Sequence, residues 1–336
     1  MTQKCQKLRI GLVIDGTDHF VRPVEAGLRL RHRVDRFCPR FLHLPLVGAR
    51  INELLLKRQL AEFLRKHDVV FFEWAGSLLI TASRLPPVGC IVTRMHSVEL
   101  ATAADQIEWS RIHTTIVLND SIQRRLEGIA GAALPTVEVV FNGVDLDHYH
   151  FRTRFFKYRL GMVCSLLPIK RVYEMILCLH ELRQSGLPFT LRIAGSRPKT
   201  ERRYAWALDS LVEKLSLYDA VHFEGHRGDI SDWLSNIDVF VSNSYWEGQQ
   251  VALLEAMASG CYCLSHFWDG VTDILPGSNI FVTDGDLRTK LERYAAIPEE
   301  RKQQEMCRTR AIAEEKFDER RMAADIIRVI ERAAQS

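Results

Sequence analysis

Short apolar runs and amphipathic stretches alternate along the chain, and that alternation predicts its elements. An apolar run over residues 8–14, closed by Asp15-Gly16-Thr17, reads as a strand and a tight turn. Residues 51–66 set Ile51, Leu54, Leu55, Leu60, Phe63 and Leu64 at helical spacing, with Lys57, Arg58, Glu62 and Arg65 on the outer face. Residues 68–72 (DVVFF) have the β-branched and aromatic content of a buried strand, and Glu73, Trp74 and Gly76 follow it. The event repeats at 89–93, followed by Arg94, Met95 and His96, and at 114–118, followed by the helix-capping run Asn119-Asp120-Ser121. A last strand over 137–141 closes this half with Asn142-Gly143-Val144-Asp145. An apolar run, 41–47, also lies within it.

The basic aromatic segment 148–159 (HYHFRTRFFKYR) breaks the rhythm, which then restarts. Strands are expected at 160–166, 189–194, 221–224, 239–242, from Cys261, and at an edge over 279–283. Helices are expected at 173–184, 202–217, 229–236, from Gln249, 286–294, 298–315 and 318–333. Strands alternating with helices mean parallel sheets covered on both faces. The chain is therefore predicted to be α/β, with a Rossmann-like domain over 1–147, a linker at 148–159, a second Rossmann-like domain over 160–317 and a closing helix over 318–336. Two such halves imply a ligand cleft between them. The first strand lacks the GxGxxG run of dinucleotide sites, which disfavours nicotinamide and flavin cofactors.

Within the second half, residues 239–265 (VFVSNSYWEGQQVALLEAMASGCYCLS) concentrate the chemistry. The run VALLEAMA is apolar on every side except at Glu255, the pattern of a helix buried in a core. A carboxylate there costs several kcal/mol unless something partners it. Glu247 lies just upstream, so two carboxylates bracket a helix N-terminus whose first amides have no intrahelical partner and hold anions readily. Carboxylates also accept hydrogen bonds from vicinal hydroxyls. An anion seat flanked by two such acceptors describes a nucleotide-sugar site.

Composition narrows the remaining classes. No stretch of the 336 residues approaches the roughly 20 apolar residues of a membrane span, and the brief apolar run near the N-terminus, stopped by Asp15, reads as a strand rather than a signal peptide. Eight cysteines without CxxC spacing suit reduced core thiols and a cytoplasmic setting. A net charge of +3 gives little reason to expect nucleic acid. Arg22, Arg29, Arg31, Arg33, Arg36 and Arg40, interleaved with Leu28, Leu30, Val34 and Phe37, predict a basic helix: either a solvated face or a peripheral contact with an anionic membrane at its inner face.

Ser244-Tyr245-Trp246-Glu247-Gly248, then Leu254-Glu255-Ala256-Met257-Ala258 and Gly260, resembles the signature of the retaining nucleotide-sugar glycosyltransferases of family 4. That family has the GT-B fold, two facing Rossmann-like domains, and members serve in polysaccharide biosynthesis. Asn142-Gly143-Val144-Asp145 is similar to its domain-junction element, Leu167-Pro168-Ile169-Lys170 to its phosphate segment, the Arg192–Gly195 and Val221–Gly225 runs to its strands near the donor, and His96 to its N-domain histidine. The resemblance implies that Glu255 binds the ribose hydroxyls, Glu247 the transferred sugar, and His96 the same sugar. Lys170 and the amides of Gly248, Gln249, Gln250 and Val251 would hold the diphosphate, with Arg171 the candidate to replace a phosphate-binding arginine absent from its usual position and with Gly195 and Gly225 lining the donor. Catalysis would need no metal and no cofactor beyond the nucleoside-diphosphate sugar itself, since fixed donors can neutralise the leaving diphosphate. The acceptor would be a glycan or a lipid-linked sugar.

Three departures qualify that expectation. Ser165 stands where the family carries a phosphate-binding arginine, Arg171 stands where it carries glycine, and Gln249 and Gln250 replace an apolar residue and a glycine. An alternative is a nucleotide-sugar-binding or regulatory protein of the same fold with impaired turnover; a sugar-nucleotide epimerase lacks a recognisable acid/base signature here.

Overall fold

The apolar runs become the strands of two parallel six-stranded sheets in the computed structural model, which describes residues 7–42, 48–86 and 89–335. The chain forms two compact units, one of Met1–Asn142 with Glu319–Ser336, the other of Gly143–Asp318.

In the first unit, β1 (Arg9–Val13), α1 (Val21–Arg29), β2 (Arg33–Arg36), α2 (Gly48–Lys66) and β3 (Val69–Phe72) are followed by α3 (Ser77–Ser83), β4 (Cys90–Arg94) and α4 (Ser97–Thr102). Then come β5 (Thr114–Val117), α5 (Asp120–Ala130) and β6 (Thr136–Val139). The strand order is β2-β1-β3-β4-β5-β6, every pair parallel. All four residues of β3 are buried, as the DVVFF run requires of a strand covered on both faces. Asn119 caps α5, its side chain accepting from the Ile122 amide at 2.9 Å.

In the second unit, β7 (Arg159–Val163), α6 (Val172–Gln184), β8 (Thr190–Ala194), α7 (Arg202–Lys214), β9 (Val221–Gly225) and α8 (Ile230–Leu234) precede β10 (Val239–Ser242). After it come α9 (Val251–Ala258), β11 (Tyr262–His266), the short edge strand β12 (Ile280–Phe281), α10 (Asp284–Ala296) and α11 (Glu299–Lys316). The order β12-β11-β10-β7-β8-β9 is the doubly wound arrangement, reversing direction between β7 and β10. The closing helix, α12 (Glu319–Ala333), belongs to the first unit, where Met322, Ile326, Ile327 and Ile330 join Ile10, Val24, Leu28 and Val69 in one core.

Two expectations are corrected. The arginine-rich segment is not one helix. It ends α1 at Arg29 and enters β2 at Arg33, because Val34 belongs in the core while Arg33 and Arg36 face outward. Its cations meet the protein's own acids: Arg22 Nε donates to Asp18 at 3.0 Å, Arg29 and Arg36 both donate to Glu25, and Arg31 reaches Glu331 at 3.1 Å. Glu25, 8% exposed, is held below the usual carboxylate range chiefly by the Arg36 hydrogen bond. The basic face expected to meet anionic lipid is therefore largely neutralised in place. Second, the expected linker 148–159 is part of the second unit and is packed, with Tyr149 buried and the Arg154 guanidinium donating to the carbonyls of Ile237 and Ser259. Of the apolar run 41–47, residues 43–47 lie outside the described residues; Leu42 exchanges backbone hydrogen bonds with the Asn52 side chain of α2.

The cysteines among the described residues are free thiols, and no helix among those residues is long and apolar enough to cross a membrane.

Gly195 follows β8 with φ +153°, and a Cβ built there would stand 1.8 Å from the Cys164 carbonyl oxygen. Backbone cannot yield as a flexible side chain does. Gly195→Ala should therefore destabilise the second unit by about 2–4 kcal/mol, read as a fall in midpoint by urea unfolding; a midpoint unchanged from wild type would show that the two loops are not held that closely.

Candidate active site

Ligands of open parallel sheets sit beyond the carboxyl ends of the strands where the order reverses. In the second unit that place lies between β7 and β10. The loop after β7 enters a single helical turn, Pro168–Lys170, and the loop after β10 carries Glu247. A backbone hydrogen bond from the Tyr245 amide to the Ile169 carbonyl, 3.0 Å, ties the two loops together. Next to it, Lys170 Nζ and Glu247 Oε1 form an ion pair at 2.5 Å, both side chains mostly buried. The sequence placed these residues 77 positions apart; the strand order makes them neighbours. A lysine and a carboxylate at one end of a sheet supply a cation for an anion and an acceptor for hydroxyls.

Helix α9 starts from the same loop. Its N-cap, Gln250, has extended backbone (φ −70°, ψ 108°) and does not cap the helix with its side chain. Gly248, Gln249 and Gln250 lead into it and Val251 is its first residue, so the expected anion-binding amides stand at the head of a helix whose Leu253, Leu254, Ala256, Met257 and Ala258 are buried. Such burial fixes where the positive pole of the helix points. Glu255, just over one turn in, accepts a hydrogen bond from the Tyr149 hydroxyl at 2.6 Å. Charged partners finish the other end of the helix: Arg310 donates to the Ala258 carbonyl at 2.6 Å and Arg154 to the Ser259 carbonyl at 3.2 Å, a favourable place for cations.

Gly195 and Gly225 are brought together by a 2.7 Å bond from the Gly195 amide to the Gly225 carbonyl. Ser165 contacts Ser196 through the two hydroxyl oxygens, 3.0 Å apart, at the place where the resemblance leads one to expect an arginine. Arg171 adopts left-handed backbone (φ 51°, ψ 41°), which accounts for the glycine expected there. Its guanidinium is buried and engaged by Asn243 at 3.1 Å and Asp284 at 2.6 Å, over the ring of Tyr245. The arginine expected to clamp phosphate is thus occupied in holding the loop after β10 to the start of α10. Beside Lys170, burial pushes the Cys164 thiol up to about 12, despite the cation, and keeps it unreactive.

His96 belongs to the first unit, at the carboxyl end of β4. Its Nε2 lies 3.2 Å from Glu73 Oε1, and its ring stacks on Trp74 with centroids 4.1 Å apart. Arg94, fully buried, donates to the same Glu73 oxygen at 3.3 Å and to Asn142 at 2.7 Å. Glu73 Oε2 is buried without a hydrogen-bond partner. Burial alone would raise the Glu73 carboxyl, but Arg94 and His96 outweigh it and hold it below the usual range. Trp74 adopts φ 109°, rare for any side chain, and is held there by the His96 stack and by its indole N–H, which donates to the Thr17 carbonyl at 2.9 Å. Gly16 leaves the space: a Cβ there would meet the indole at 2.8 Å. Such strain collects at ligand-facing strand ends.

Sequence reasoning had noted Glu73 only for its place after β3, and it missed Tyr149, Asn243 and Arg310. The signal for Tyr149 was thin, an aromatic just beyond the Asn142–Asp145 turn.

Residues 157–295 match the model for the family described as glycosyl transferases group 1. The second unit carries a glycosyltransferase domain. Among curated relatives of the transferase, the Escherichia coli protein named as colanic acid biosynthesis glycosyltransferase WcaL is 26% identical over 286 residues, covering 76% of this chain and 68% of that protein. The Campylobacter jejuni N,N'-diacetylbacillosaminyl-diphospho-undecaprenol alpha-1,3-N-acetylgalactosaminyltransferase is 35% identical over 95 residues, 23% of this chain and 25% of that one. Among solved structures, Anabaena HepE with UDP and glucose superposes with a TM-score of 0.78 at 15% identity, covering 97% of this chain and 100% of that one. Sucrose-phosphate synthase of Thermosynechococcus elongatus gives 0.76 at 15% identity, covering 98% and 100%. The fold is GT-B, as expected.

Replacing Glu73 by Gln leaves the buried Arg94 guanidinium without its counter-charge and should cost about 3–5 kcal/mol, seen as a lower melting temperature at pH 7. Because the folded carboxyl is held low, its contribution is present above the ordinary carboxylate range and is lost as pH falls through the folded value. The wild type should therefore lose melting temperature below about pH 4 more steeply than Glu73→Gln; parallel pH profiles would refute the buried pair.

Proposed function

We propose that the chain is a retaining glycosyltransferase that moves a sugar from a nucleoside diphosphate to a glycan or lipid-linked acceptor, without a metal. The observation that carries this reading is the convergence of Lys170, Glu247 and the head of α9 at the strand-order reversal of the transferase domain. In this reading the α9 amides and Lys170 take the diphosphate, and their fixed positive charge meets the negative charge that grows as the sugar leaves. Glu247 is then released from Lys170 to accept hydroxyls of the transferred sugar, Glu255 accepts those of the ribose, and Gly195 and Gly225 give the donor room. The acceptor hydroxyl attacks from the face that the diphosphate leaves, its proton passing to a phosphate oxygen. The UDP and glucose in the HepE structure and the lipid-linked substrate named for the C. jejuni enzyme support the choice of donor and acceptor classes. Peripheral contact with a membrane bearing such an acceptor belongs to this reading too.

A second reading, nucleotide-sugar binding with impaired turnover, is favoured by one observation: Arg171 is committed to Asn243 and Asp284 while a serine occupies the usual arginine position.

Glu255→Ala should abolish nucleoside-diphosphate binding while the protein stays folded; unchanged affinity by calorimetry would remove the basis of the site. A panel of nucleoside-diphosphate sugars and acceptors should give turnover insensitive to EDTA and a product whose anomeric configuration, read by NMR, matches the donor. An inverted product would exclude the retaining mechanism, and donor binding without turnover on any acceptor would favour the second reading.

A further inference from the structure

The segment that follows the Asn142–Asp145 turn holds a residue with no part in the reading above. The Asp145 carboxylate accepts from the amides of Asp147 and His148, at 3.0 and 3.1 Å, and its carbonyl accepts from the amides of His148 and Tyr149. This coil turns Tyr149 inward until it is 8% exposed. Its hydroxyl then donates to Glu255 Oε1 at 2.6 Å. The coil is fixed to the helix bearing that glutamate by one guanidinium: Arg310 of α11 donates to the carbonyls of Leu146, Tyr149 and Ala258, at 3.2, 2.8 and 2.6 Å. Gly260, just past α9, leaves the space that Phe151 fills, since a Cβ there would meet that ring at 2.3 Å. Burial, and then the Glu255 carboxylate, push the phenol well above its ordinary value, so it acts as a permanent donor.

A glutamate on a helix has several rotamers, and a vicinal diol is recognised only when the carboxylate plane is fixed. A short hydrogen bond from a rigid aromatic side chain, to a charged acceptor, supplies that constraint. We propose that Tyr149 is a positioning residue for donor recognition, its hydroxyl setting the Glu255 carboxylate for the two ribose hydroxyls of a nucleoside diphosphate. This rests on the proposed role of Glu255. Tyr149 acts through Glu255 on a part of the donor remote from the breaking bond, so its loss weakens ground-state and transition-state binding alike.

The test uses the full chain, as wild type, Tyr149→Phe and Glu255→Ala. Calorimetric titration with ADP, CDP, GDP and UDP finds the preferred base, and that nucleotide is then compared with its 2′-deoxy form. Wild type should prefer the ribonucleotide. Tyr149→Phe should weaken ribonucleotide binding by about tenfold while weakening the deoxynucleotide much less, so that the preference collapses. Donor KM should rise in step, with kcat and the melting temperature close to wild type. An unchanged ribose preference in Tyr149→Phe, beside lost binding in Glu255→Ala, overturns the positioning role and leaves the donor site standing. Equal losses for both sugar forms, with a lower melting temperature, overturn it in favour of packing alone. Unaltered binding in Glu255→Ala overturns the donor-site reading itself.

Discussion

Everything in the second unit turns on one topological constraint. Parallel strands need long crossovers, and when the crossovers run first to one side and then to the other, two adjacent strands send their chains to opposite faces and leave a gap between their loops. Here those strands are β7 and β10, and the gap holds the Lys170–Glu247 ion pair. An ion pair withdrawn from water is a weak source of stability, since desolvation offsets much of the attraction. Its value lies in what it keeps available. A cation and an acceptor held in one place need little rearrangement to meet an anion and a hydroxyl, and the head of α9 adds backbone donors to the same loop.

Around that gap the chain spends several residues on rigidity. Arg171 accepts a left-handed backbone so that its guanidinium can join Asn243 to Asp284. Gly195 lets the loops after β7 and β8 come close enough that no Cβ fits. Arg154 and Arg310 finish the far end of α9. A helix buried on most sides and anchored at its carboxyl end presents its amino end in a fixed direction, the condition for a preorganised anion site. The first unit uses a comparable device at its own strand ends. Glu73, Arg94 and His96 form a buried charged cluster, and the strained Trp74 closes over it. Charge removed from water is retained only where its partners are fixed, and the cluster fixes His96.

Much of the fold was legible in the linear pattern. The β-branched and aromatic runs DVVFF and VFVS suit a strand covered on both faces, and the capping run at Asn119 marks the start of α5 as the structure has it. The segment from Arg22 to Arg40 misled because arginines at helical spacing look alike whether the chain coils or extends. Only the pairing of β2 with β1, and Glu25 waiting for Arg29 and Arg36, settles its form. The expected linker failed for a related reason. A basic aromatic segment reads as a solvated connection until Asp145, Arg310 and Glu255 are found to hold it.

By itself, then, the sequence determined the alternation of strands and helices, the two-domain α/β class, and the apolar helix carrying one carboxylate beside a polar loop carrying another. These are properties of local periodicity, and each can be read within a window of a few turns. Tertiary structure alone decided that Lys170 faces Glu247, that Arg171 is committed to Asn243 and Asp284, and that Tyr149 reaches Glu255 across 106 positions. Those pairings depend on strand order and on which loops converge. Such information belongs to the way elements pack, and no single stretch of the chain contains it.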